Sequence, residues 1–542
     1  MFWKIGLPLL LGLLMAACGR PLAVERAQEE GFLLLGNGPD PQALDPQITT
    51  GTSELNIHMA LFEGLVSPDP RTLEPVPAVA ESWEVSEDGR RYVFSLRSSA
   101  RWSDGSQVTA EDFVFAWKRM LSPELAAPNA WMLYAIDAAE SYNKNEVGSE
   151  ELGIRALDSE TLELRLEAAT PYLLDMMMHP AWFPVHRPTI ERWGDVHDRS
   201  NRWAETGRHV GNGPFKLREW RANVWVETVA NPYYWDADTV SLNGIRFMVY
   251  EEPSAQERAF LGGQLHVSST VPPARISWWK RERSEELHLD PYLGTYYVLV
   301  NHRHPQLSDP RIRKALSLAV DRRALVENLL GAGEIAAHSF VPESMPGYDA
   351  PQMPGFNPER ARELLAEAGY PGGNGFPRIQ YLYNTSENHR RIAEALQGMW
   401  EQHLGISIEL YNQEWRVYLD RRERGDYALA RAVWIGDYVD PDTFLSLWST
   451  GSGRVWSGWE QPEFDALMLR ANQEQDADKR MQQLAQAEHI LLEEQAVIPL
   501  YFYVSSSLKR PEVKGWHPTL LNWHPYKHLY FDSSDNNPPV HQ

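Results

Sequence analysis

The chain has 542 residues and a formal net charge of −23, from 51 basic and 74 acidic side chains. This length predicts two or three domains, and 43% hydrophobic with 23% charged residues is typical of a globular protein, which excludes a disordered chain and a membrane-embedded bundle. An acidic chain without a basic stripe repels a phosphate backbone, so we expect no nucleic-acid partner.

The first 17 residues have the pattern of a secretory signal peptide. Lys4 precedes the apolar run IGLPLLLGLLMAA, which is too short to span a bilayer and ends in small residues. We therefore interpret residues 1–17 as a signal peptide that directs the chain out of the cytoplasm.

Cys18 follows this run and is the only cysteine of the chain, so it cannot form an intrachain disulfide. The segment LMAAC resembles a bacterial lipobox, although Met15 stands where leucine is preferred. The resemblance implies that Cys18 is lipidated and that acyl chains anchor the mature protein to an inner or an outer membrane. Residues 18–30 are then the lipidated cysteine and a short polar tether; the alternative is a chance free cysteine.

Strand and helix patterns alternate along the rest of the chain. In RRYVFSLR, Tyr92, Phe94 and Leu96 recur at period two, which predicts a half-buried strand. After the turn SDG, Thr109 and Asp112 resemble a capping box at the start of a helix. The apolar residues at helical spacing in this helix are Phe113, Ala116, Trp117, Met120 and Leu121.

The segment GNGPFKLREW predicts a tight turn that leads into a strand. Two glycines flank an asparagine, and Pro214 fixes the turn. Phe215, Leu217 and Glu219 then alternate, which places them on one face of the strand.

Two further helices are indicated by their first and last residues. Asp309 with the following proline opens one helix, which Gly331 ends, and Asn357 with the following proline opens another, which Gly369 ends. The apolar face of the first helix consists of Ile312, Ala315, Leu316, Ala319 and Val320. Strand-like runs, TYYVLVN at 295–301 and RIQYLYN at 378–384, lie near these helices, so we predict an α/β fold with mixed sheets.

The segment ARAVWIGDYVDP, residues 430–441, reads as a buried strand that carries two charges, Arg431 and Asp437. A buried charge without a partner costs several kcal/mol, so each is expected to have one. The two residues are six positions apart and share a face of a regular strand, but about 20 Å would separate them at about 3.3 Å per residue. We therefore favour different partners for them over a direct pair.

Enzyme and metal signatures are missing from the sequence. It contains no GxSxG, Walker A, HExxH or GxGxxG motif. His179 and His186 are seven positions apart, which matches no common metal-ligand spacing, so we expect loop or core histidines and no metal or cofactor. A glycosidase would need two cooperating carboxylates, which sequence alone does not locate among 74 acidic residues.

A long series of blocks, in order, resembles the extracytoplasmic solute-binding proteins of ABC importers, in the peptide/nickel-binding family, and in particular its oligopeptide-binding branch. The resemblance extends over about residues 31–531. Its blocks are LDP, LFEGL, AESW, WSDG, GNGPF, NPYYW, DPRIRKAL, LLAEAGY, YNTSENHRR, NQEWRVYLDRRERGDYALARAVWIGDYVDP and VIPLYFYV.

The resemblance implies a two-lobed, type II periplasmic-binding-protein-like fold with mixed sheets and an extra third domain. We expect domain I to be discontinuous (31–62, 206–293 and 504–542), domain II to span 63–205 and domain III to span 294–503. It further implies a monomeric receptor that encloses an oligopeptide between two lobes joined by a hinge, hands it to the permease subunits of an ABC transporter and performs no catalysis.

The resemblance also assigns roles to individual residues. It implies that Asp437 holds the α-amino group of a bound peptide and that Arg431 neutralises acidic groups of ligand or protein. Trp415 would line a side-chain pocket, and Arg422 and His389 would lie toward the peptide's carboxyl end. Pairing with the peptide backbone and water-filled side-chain pockets would make the binding tolerant of sequence. The predicted peptide-binding set is Asp437, Trp415, Arg431, Arg422, His389, Thr52, Trp434 and Tyr438.

Several positions depart from the oligopeptide-binding branch. Thr50, Asn129, Leu299 and Ser317 stand where that branch has glutamate, tyrosine, glutamate and lysine, and Thr52 replaces a valine whose backbone pairing it could retain. Ligand length and side-chain preference therefore stay open. The alternatives are a receptor for murein peptide, nickel chelate or oligosaccharide on the same scaffold and, from another class, a secreted hydrolase with an aromatic, acidic cleft.

Overall fold

The computed structural model describes residues 21–450, 452 and 457–532. The predicted signal peptide and Cys18 lie outside the described residues. Within the described ranges, no helix is both long enough and apolar enough to cross a membrane.

Helices and strands alternate throughout the chain. The strands are β1 (Phe32–Gly36), β2 (Val66–Pro68), β3 (Pro75–Pro77), β4 (Ala80–Val85), β5 (Arg91–Leu96), β6 (Ile154–Ala156), β7 (Thr161–Arg165), β8 (Phe215–Arg221), β9 (Trp225–Ala230), β10 (Gly244–Met248), β11 (Val267–Ser268), β12 (Leu287–Val300), β13 (Ile335–Ala336), β14 (Ile379–Asn384), β15 (Ile408–Gln413), β16 (Leu429–Ile435), β17 (Val497–Lys509), β18 (Val513–Lys514) and β19 (Tyr530–Phe531). The helices are α1 (Ala23–Glu29), α2 (Thr52–Leu61), α3 (Ala110–Leu121), α4 (Ala139–Asn143), α5 (Leu173–Met177), α6 (Arg187–Trp193), α7 (Pro253–Leu261), α8 (Ile276–Glu282), α9 (Pro310–Leu318), α10 (Arg322–Ala324), α11 (Pro358–Glu367), α12 (Glu387–Leu404), α13 (Trp415–Glu423), α14 (Asp442–Leu445), α15 (Pro462–Gln473) and α16 (Ala477–Glu493).

One mixed sheet of eleven strands extends through most of the described chain. Its order is β15-β14-β16-β12-β17-β11-β1-β10-β9-β8, with β13 paired to β17. β1 is parallel to both β10 and β11, and β14 is parallel to both β15 and β16, whereas β12 is antiparallel to both β16 and β17. The prediction of an α/β fold with mixed sheets is confirmed.

A separate four-stranded antiparallel sheet, β4-β5-β7-β6, occurs in residues 63–205, which we call the small-sheet unit. Its strand β5 has Tyr92, Phe94 and Leu96 buried, as the period-two pattern predicts. The helix α3 begins at the predicted capping box, in which the Thr109 amide donates to Asp112 Oδ2 over 2.8 Å.

The two longest strands, β12 and β17, connect two parts of the molecule, and we call them the hinge strands. The C-terminal half of β12 pairs with β16, and the C-terminal end of β17 pairs with β11. Residues 287–291 and 504–508 pair with each other. We call residues 301–496, which lie between the hinge strands in sequence, the inner segment. The predicted boundaries at 293/294 and 503/504 fall inside the hinge strands; the domain limits themselves stay a prediction.

Three predictions need correction. The prediction of a polar tether is wrong for residues 23–29, because they form the helix α1 and bury Val24 and Ala27. The helix expected from Asp309 to Gly331 is divided, because α9 ends at Leu318 and a second helical segment, with a π-helical end, begins after Asp321.

Hydrogen bonds explain this division. The buried Arg322 side chain donates to the carbonyl oxygens of Ser317 and Val320 at the end of α9, and Asp321 caps the next segment by accepting from the Ala324 amide. The third correction concerns Glu219, which a β-bulge between Leu217 and Glu219 removes from the expected alternation.

A buried ion pair joins the loop before α2 to α3. Arg119 donates from Nη2 to Asp45 Oδ2 over 2.8 Å and from Nη1 to Gln47 Oε1 over 2.6 Å, and the indole of Trp203 also donates to Asp45. Burial opposes ionisation of Asp45, but Arg119 and these hydrogen bonds hold the pKa of the carboxyl below its ordinary value. The pair therefore ties the first part of the chain to the small-sheet unit.

Replacing one partner tests this pair. Arg119→Leu leaves Asp45 buried without its cation, which costs about 3–5 kcal/mol, so we expect a large fall in the denaturant midpoint measured by circular dichroism. The control is Arg91→Leu, which removes a half-exposed pair with Glu163 and costs at most about 1 kcal/mol. Equal losses for the two variants would contradict a special role for the buried pair.

Candidate functional site

The predicted Arg431 lies in β16 and is surrounded by tyrosines. It is 6% exposed, and its guanidinium lies 5.4 Å from the ring centroid of Tyr296 on the neighbouring hinge strand. Tyr503 on the other hinge strand and Tyr296 are both within hydrogen-bonding range of this guanidinium. Its Nε is buried and makes no hydrogen bond to the described protein atoms. Aromatic faces and hydroxyls therefore stabilise a buried cation here, with a donor available for a ligand.

Asp437 follows the end of β16, where the backbone leaves the sheet. The Gly436 amide donates to the Leu293 carbonyl over 2.7 Å, and a Cβ at Gly436 would lie 2.7 Å from a Leu293 methyl group. Glycine therefore lets the end of β16 pack closely against the buried Leu293 side chain, and the backbone bends immediately after it. The amide of Asp437 donates to Thr443 Oγ1 over 3.1 Å, which fixes the turn, and the Oδ2 atom is buried.

The carboxylate of Asp437 lies near Tyr292 of the hinge strand β12. Burial, followed by the charge of Asp437 and a smaller effect of Tyr503, raises the pKa of Tyr292 to about 12. Tyr503 also lies next to Arg431. The site therefore places a carboxylate beside Tyr292 and a guanidinium beside Tyr503, and the two tyrosines are neighbours. Different partners for Arg431 and Asp437, favoured from their spacing, stay a prediction.

Three further predicted residues contact tyrosines, His389 at Tyr296 of a hinge strand and Trp415 and Arg422 at Tyr418 of α13. His389 Nδ1 lies 3.3 Å from the Tyr296 hydroxyl, and burial, with a smaller effect of Arg431, lowers the histidine's pKa to about 4. The rings of Trp415 and Tyr418 stack at 5.6 Å between centroids, and the Trp415 side chain is 48% exposed. Arg422 donates to the Tyr418 hydroxyl over 3.4 Å.

The other predicted residues lie elsewhere. Thr52 is exposed at the first residue of α2, where its backbone is helical and not extended for strand pairing. Trp434 is on the opposite face of β16 from Arg431 by strand alternation, and its Nε1 is buried without a partner among the described protein atoms. Tyr438 is 2% exposed and donates to Asp442 Oδ2 over 2.8 Å. Ligand contact by these residues stays a prediction.

Two departures from the family pattern lie in the protein interior. Leu299 is 2% exposed in the core, and Ser317 Oγ accepts from the buried Arg322. Their replacement of charged residues is therefore explained by packing within this chain. Asn129 donates weakly, over 3.5 Å, to the Thr49 carbonyl next to Thr50.

Sequence reasoning missed the tyrosines of the hinge strands. Tyr296 was placed in a strand-like run, whereas Tyr292 and Tyr503 were given no role, and the closeness of the three depends on the pairing of β12 with β17, which joins residues about 200 positions apart. The recurring aromatic residues in PYLGTYY and LYFYV were the available signal.

His179 and His186 do not form a common site. His179 Nδ1 accepts from the Ala181 amide, whereas His186 hydrogen-bonds Thr189. Within the described residues, no group of three or more histidine, cysteine, aspartate or glutamate side chains is arranged to hold a metal ion.

Known proteins resemble this chain over most of its length. The model of the bacterial extracellular solute-binding proteins, family 5 (middle), matches residues 74–456. The periplasmic murein peptide-binding protein MppA of Escherichia coli (strain K12) is 34% identical over 487 residues, which cover 88% of each chain.

Two solved structures resemble the fold. The Haemophilus influenzae OppA complex with RPPGFSPFR has a TM-score of 0.78 at 32% identity and covers 93% of this chain and 99% of that one. The unliganded open form of the murein tripeptide-binding protein MppA has a TM-score of 0.77 at 33% identity, with 93% and 98% covered. These likenesses confirm the predicted type II periplasmic-binding-protein fold.

The electrostatic contact between Arg431 and His389 can be measured directly. Arg431→Met removes a positive charge beside the imidazole, so we expect the pKa of His389 to rise above its value of about 4 while remaining below 6.5 because burial persists. Histidine-ring NMR titration measures this shift, with His389→Gln used to assign the signal. Arg390→Met, which removes an exposed arginine of the same helix, is the control and should leave the titration unchanged; an unchanged titration in Arg431→Met would contradict the contact.

Proposed function

Because the chain belongs to family 5 of the bacterial extracellular solute-binding proteins, we propose that it captures oligopeptides between two lobes and delivers them to the permease of an ABC importer. One lobe contains the strands that precede β12 and follow β17, and the other contains the inner segment. The hinge strands join the lobes and let them close around a ligand.

The observation that carries this proposal is the position of Asp437. Its carboxylate lies where β16 leaves the sheet, beside Tyr292 of a hinge strand, and therefore next to the junction of the lobes. Almost every peptide carries an α-ammonium group, and a partly enclosed carboxylate holds such a group through a charge-assisted hydrogen bond whatever the peptide sequence. One anchor of this kind supports recognition of many peptides.

Arg431 complements this anchor. A guanidinium that is 94% buried among tyrosines stabilises a carboxylate that enters the same cleft. His389 is neutral near pH 7, since burial and Arg431 lower its pKa to about 4, so it accepts or donates a hydrogen bond without adding charge. A bound peptide thus meets opposite charges at separate places, which orients it along the cleft.

The proposal extends to location and assembly. We propose a monomer outside the cytoplasm, anchored by acyl chains on Cys18, without catalytic activity and without a cofactor. The short sequence between Cys18 and the helix α1 would hold the folded body close to the membrane surface.

Removing the carboxylate of the anchor tests the proposed function. Asp437→Ala leaves an enclosed ammonium group without its partner, so we expect binding of tetra-alanine to weaken by about 2–5 kcal/mol. Isothermal titration calorimetry measures the change. The control Asp426→Ala removes an exposed carboxylate and should bind like the parent protein.

Acetylation of the peptide provides a second test of the anchor, because it changes the ligand and not the protein. N-acetyl-tetra-alanine lacks the ammonium group, so it should bind the parent protein and Asp437→Ala equally weakly. Unchanged affinity of Asp437→Ala for tetra-alanine would refute the assigned anchor.

A second candidate function is favoured by Arg431. The buried guanidinium of Arg431 has a free Nε, which suits a ligand with more than one carboxylate. Murein peptides carry such additional carboxylates, whereas a peptide with neutral side chains has only its terminal one. MppA, whose name states that it binds murein peptide, is among the relatives of this chain.

Identification of retained ligand separates the two candidates. If murein peptide is the cargo, mass spectrometry of gently purified protein will recover peptides with extra carboxylates, and Arg431→Met will retain them less than the parent does. Recovery of ordinary peptides of mixed sequence would favour the general oligopeptide receptor, and recovery of sugar alone would refute both.

A further inference from the structure

The two lobes contact each other at a pair of stacked tyrosines, one of which directly follows the proposed anchor Asp437 in sequence. Tyr172 belongs to the small-sheet unit and Tyr438 belongs to the inner segment, which are connected in sequence only through the hinge strands. Their rings are 5.3 Å apart and nearly parallel, at 2°. Gln475 of the inner segment also donates to the Glu87 carbonyl of the small-sheet unit over 2.8 Å. The contact is therefore between lobes and would separate if the lobes opened.

A cluster of aspartates surrounds the tyrosine stack. The hydroxyls of Tyr172 and Tyr438 are both bound to the carboxylate of Asp442, which is 2% exposed. Asp440 receives two hydrogen bonds from the buried Arg480, of 2.6 and 2.8 Å, and the same guanidinium lies 5.0 Å from the Tyr172 ring centroid. Arg480 thus pairs with Asp440, and its guanidinium also packs over the Tyr172 ring of the other lobe.

Asp175 approaches this cluster from the opposite lobe. It lies in α5, three residues after Tyr172, and its carboxylate is close enough to Asp440 for their charges to interact. It also lines a cavity of about 620 Å³ between the lobes, whose other walls include Pro291, Pro346 and Leu520. The mostly apolar walls give the carboxylate little solvation, and across the interface the like charge of Asp440 outweighs the opposite charge of Arg480 in its effect on Asp175.

The charges of this interface do not balance when every carboxylate is ionised. Three aspartates share one arginine, and Arg480 is engaged by Asp440. Like charges in a partly desolvated interface repel strongly, and a proton shared among them removes the repulsion. We propose that this cluster is a proton-dependent latch: Asp175 takes up a proton as the lobes close, so that acid favours the closed form that retains the ligand.

Other charged groups face the cluster and do not remove the imbalance. Glu74 and Arg71 line the same cavity with opposite charges, and Glu74 adds to the repulsion felt by Asp175. On the inner side, Glu488 accepts hydrogen bonds from the amides of Phe340 and Val341 and from the Tyr348 hydroxyl, and Tyr348 lies near Asp440. Glu488 belongs to the inner segment, so its surroundings do not require closure.

The direction of the pH dependence follows from Asp175. Burial, followed by the charge of Asp440, raises the pKa of Asp175 from its ordinary value of 3.8 to about 7 in the closed form. Between these pH values the closed form binds a proton that the open form has released, so the ratio of closed to open protein falls as pH rises, by up to about tenfold per pH unit. Below 3.8 and above about 7 this group contributes no slope.

The experiment measures closure without any ligand. Cys18 is replaced by serine in the full chain, and spin labels are placed at Glu151→Cys in the small-sheet unit and Gln402→Cys in the inner segment, both exposed positions. Distances between the labels, measured by pulsed electron paramagnetic resonance from about pH 5 to about pH 8, give the closed fraction. We expect this fraction to fall across the range.

Asp175→Asn identifies the group responsible. The amide has nearly the shape of a protonated carboxyl group, so this variant should stay mostly closed at every pH and lose the pH dependence. Asp195→Asn, an exposed position of the same unit, is the matched control and should behave like the parent. A pH-independent parent, or an Asp175→Asn variant that keeps the parent's slope, overturns the proposal.

The inference rests on the proposed function only for the use of closure in ligand capture. Because the distances are measured on ligand-free protein, a failure of peptide binding leaves the latch testable. Conversely, a flat pH response refutes the latch while the peptide anchor at Asp437 stands.

Discussion

The structure depends above all on the pairing of two hinge strands. β12 and β17 run antiparallel over residues 287–299 and 497–508, with irregular register near Pro291 and Tyr296, and each adds further strands on its outer side. Because the inner segment is connected to the rest of the chain in sequence only through these strands, their backbone hydrogen bonds hold the lobes together while the irregularities permit local bending. The same strands present the tyrosines that surround both charges of the candidate site.

Those tyrosines solve an electrostatic difficulty. A cleft that must release its ligand cannot satisfy its charges permanently with ion pairs inside the protein, yet an unsolvated charge destabilises the fold. Around Arg431, aromatic faces and hydroxyls stabilise the guanidinium moderately. A ligand carboxylate can therefore stabilise this charge further when it binds. The buried pair of Arg119 and Asp45 shows the opposite arrangement, in which bidentate geometry and extra donors make the contact permanent.

Local features of the fold could be predicted from the sequence, and features that depend on distant pairing could not. The capping box at Thr109, the strand with Tyr92 and the helix that begins after Asn357 follow from short-range rules and are confirmed. The break of the helix after Leu318 depends on the buried Arg322, which donates to the carbonyl of Ser317 in the preceding turn. The apolar periodicity of the sequence does not reveal this contact. For the site, family blocks indicated Arg431 and Asp437, but Tyr292 and Tyr503 became visible only through the pairing of the hinge strands.

The return of the chain to the first lobe has a consequence for how the protein is made. The end of β17 pairs with β11, and the aromatic residues Trp523 and Tyr526 complete the core of that lobe, so its core needs residues that follow the inner segment in sequence. The inner segment, by contrast, has its own cluster of buried residues between Tyr296 and Tyr501. We therefore expect the lobe that begins first to fold after the inner segment, and the nascent chain to need protection from aggregation until Trp523 and Tyr526 have emerged from the ribosome.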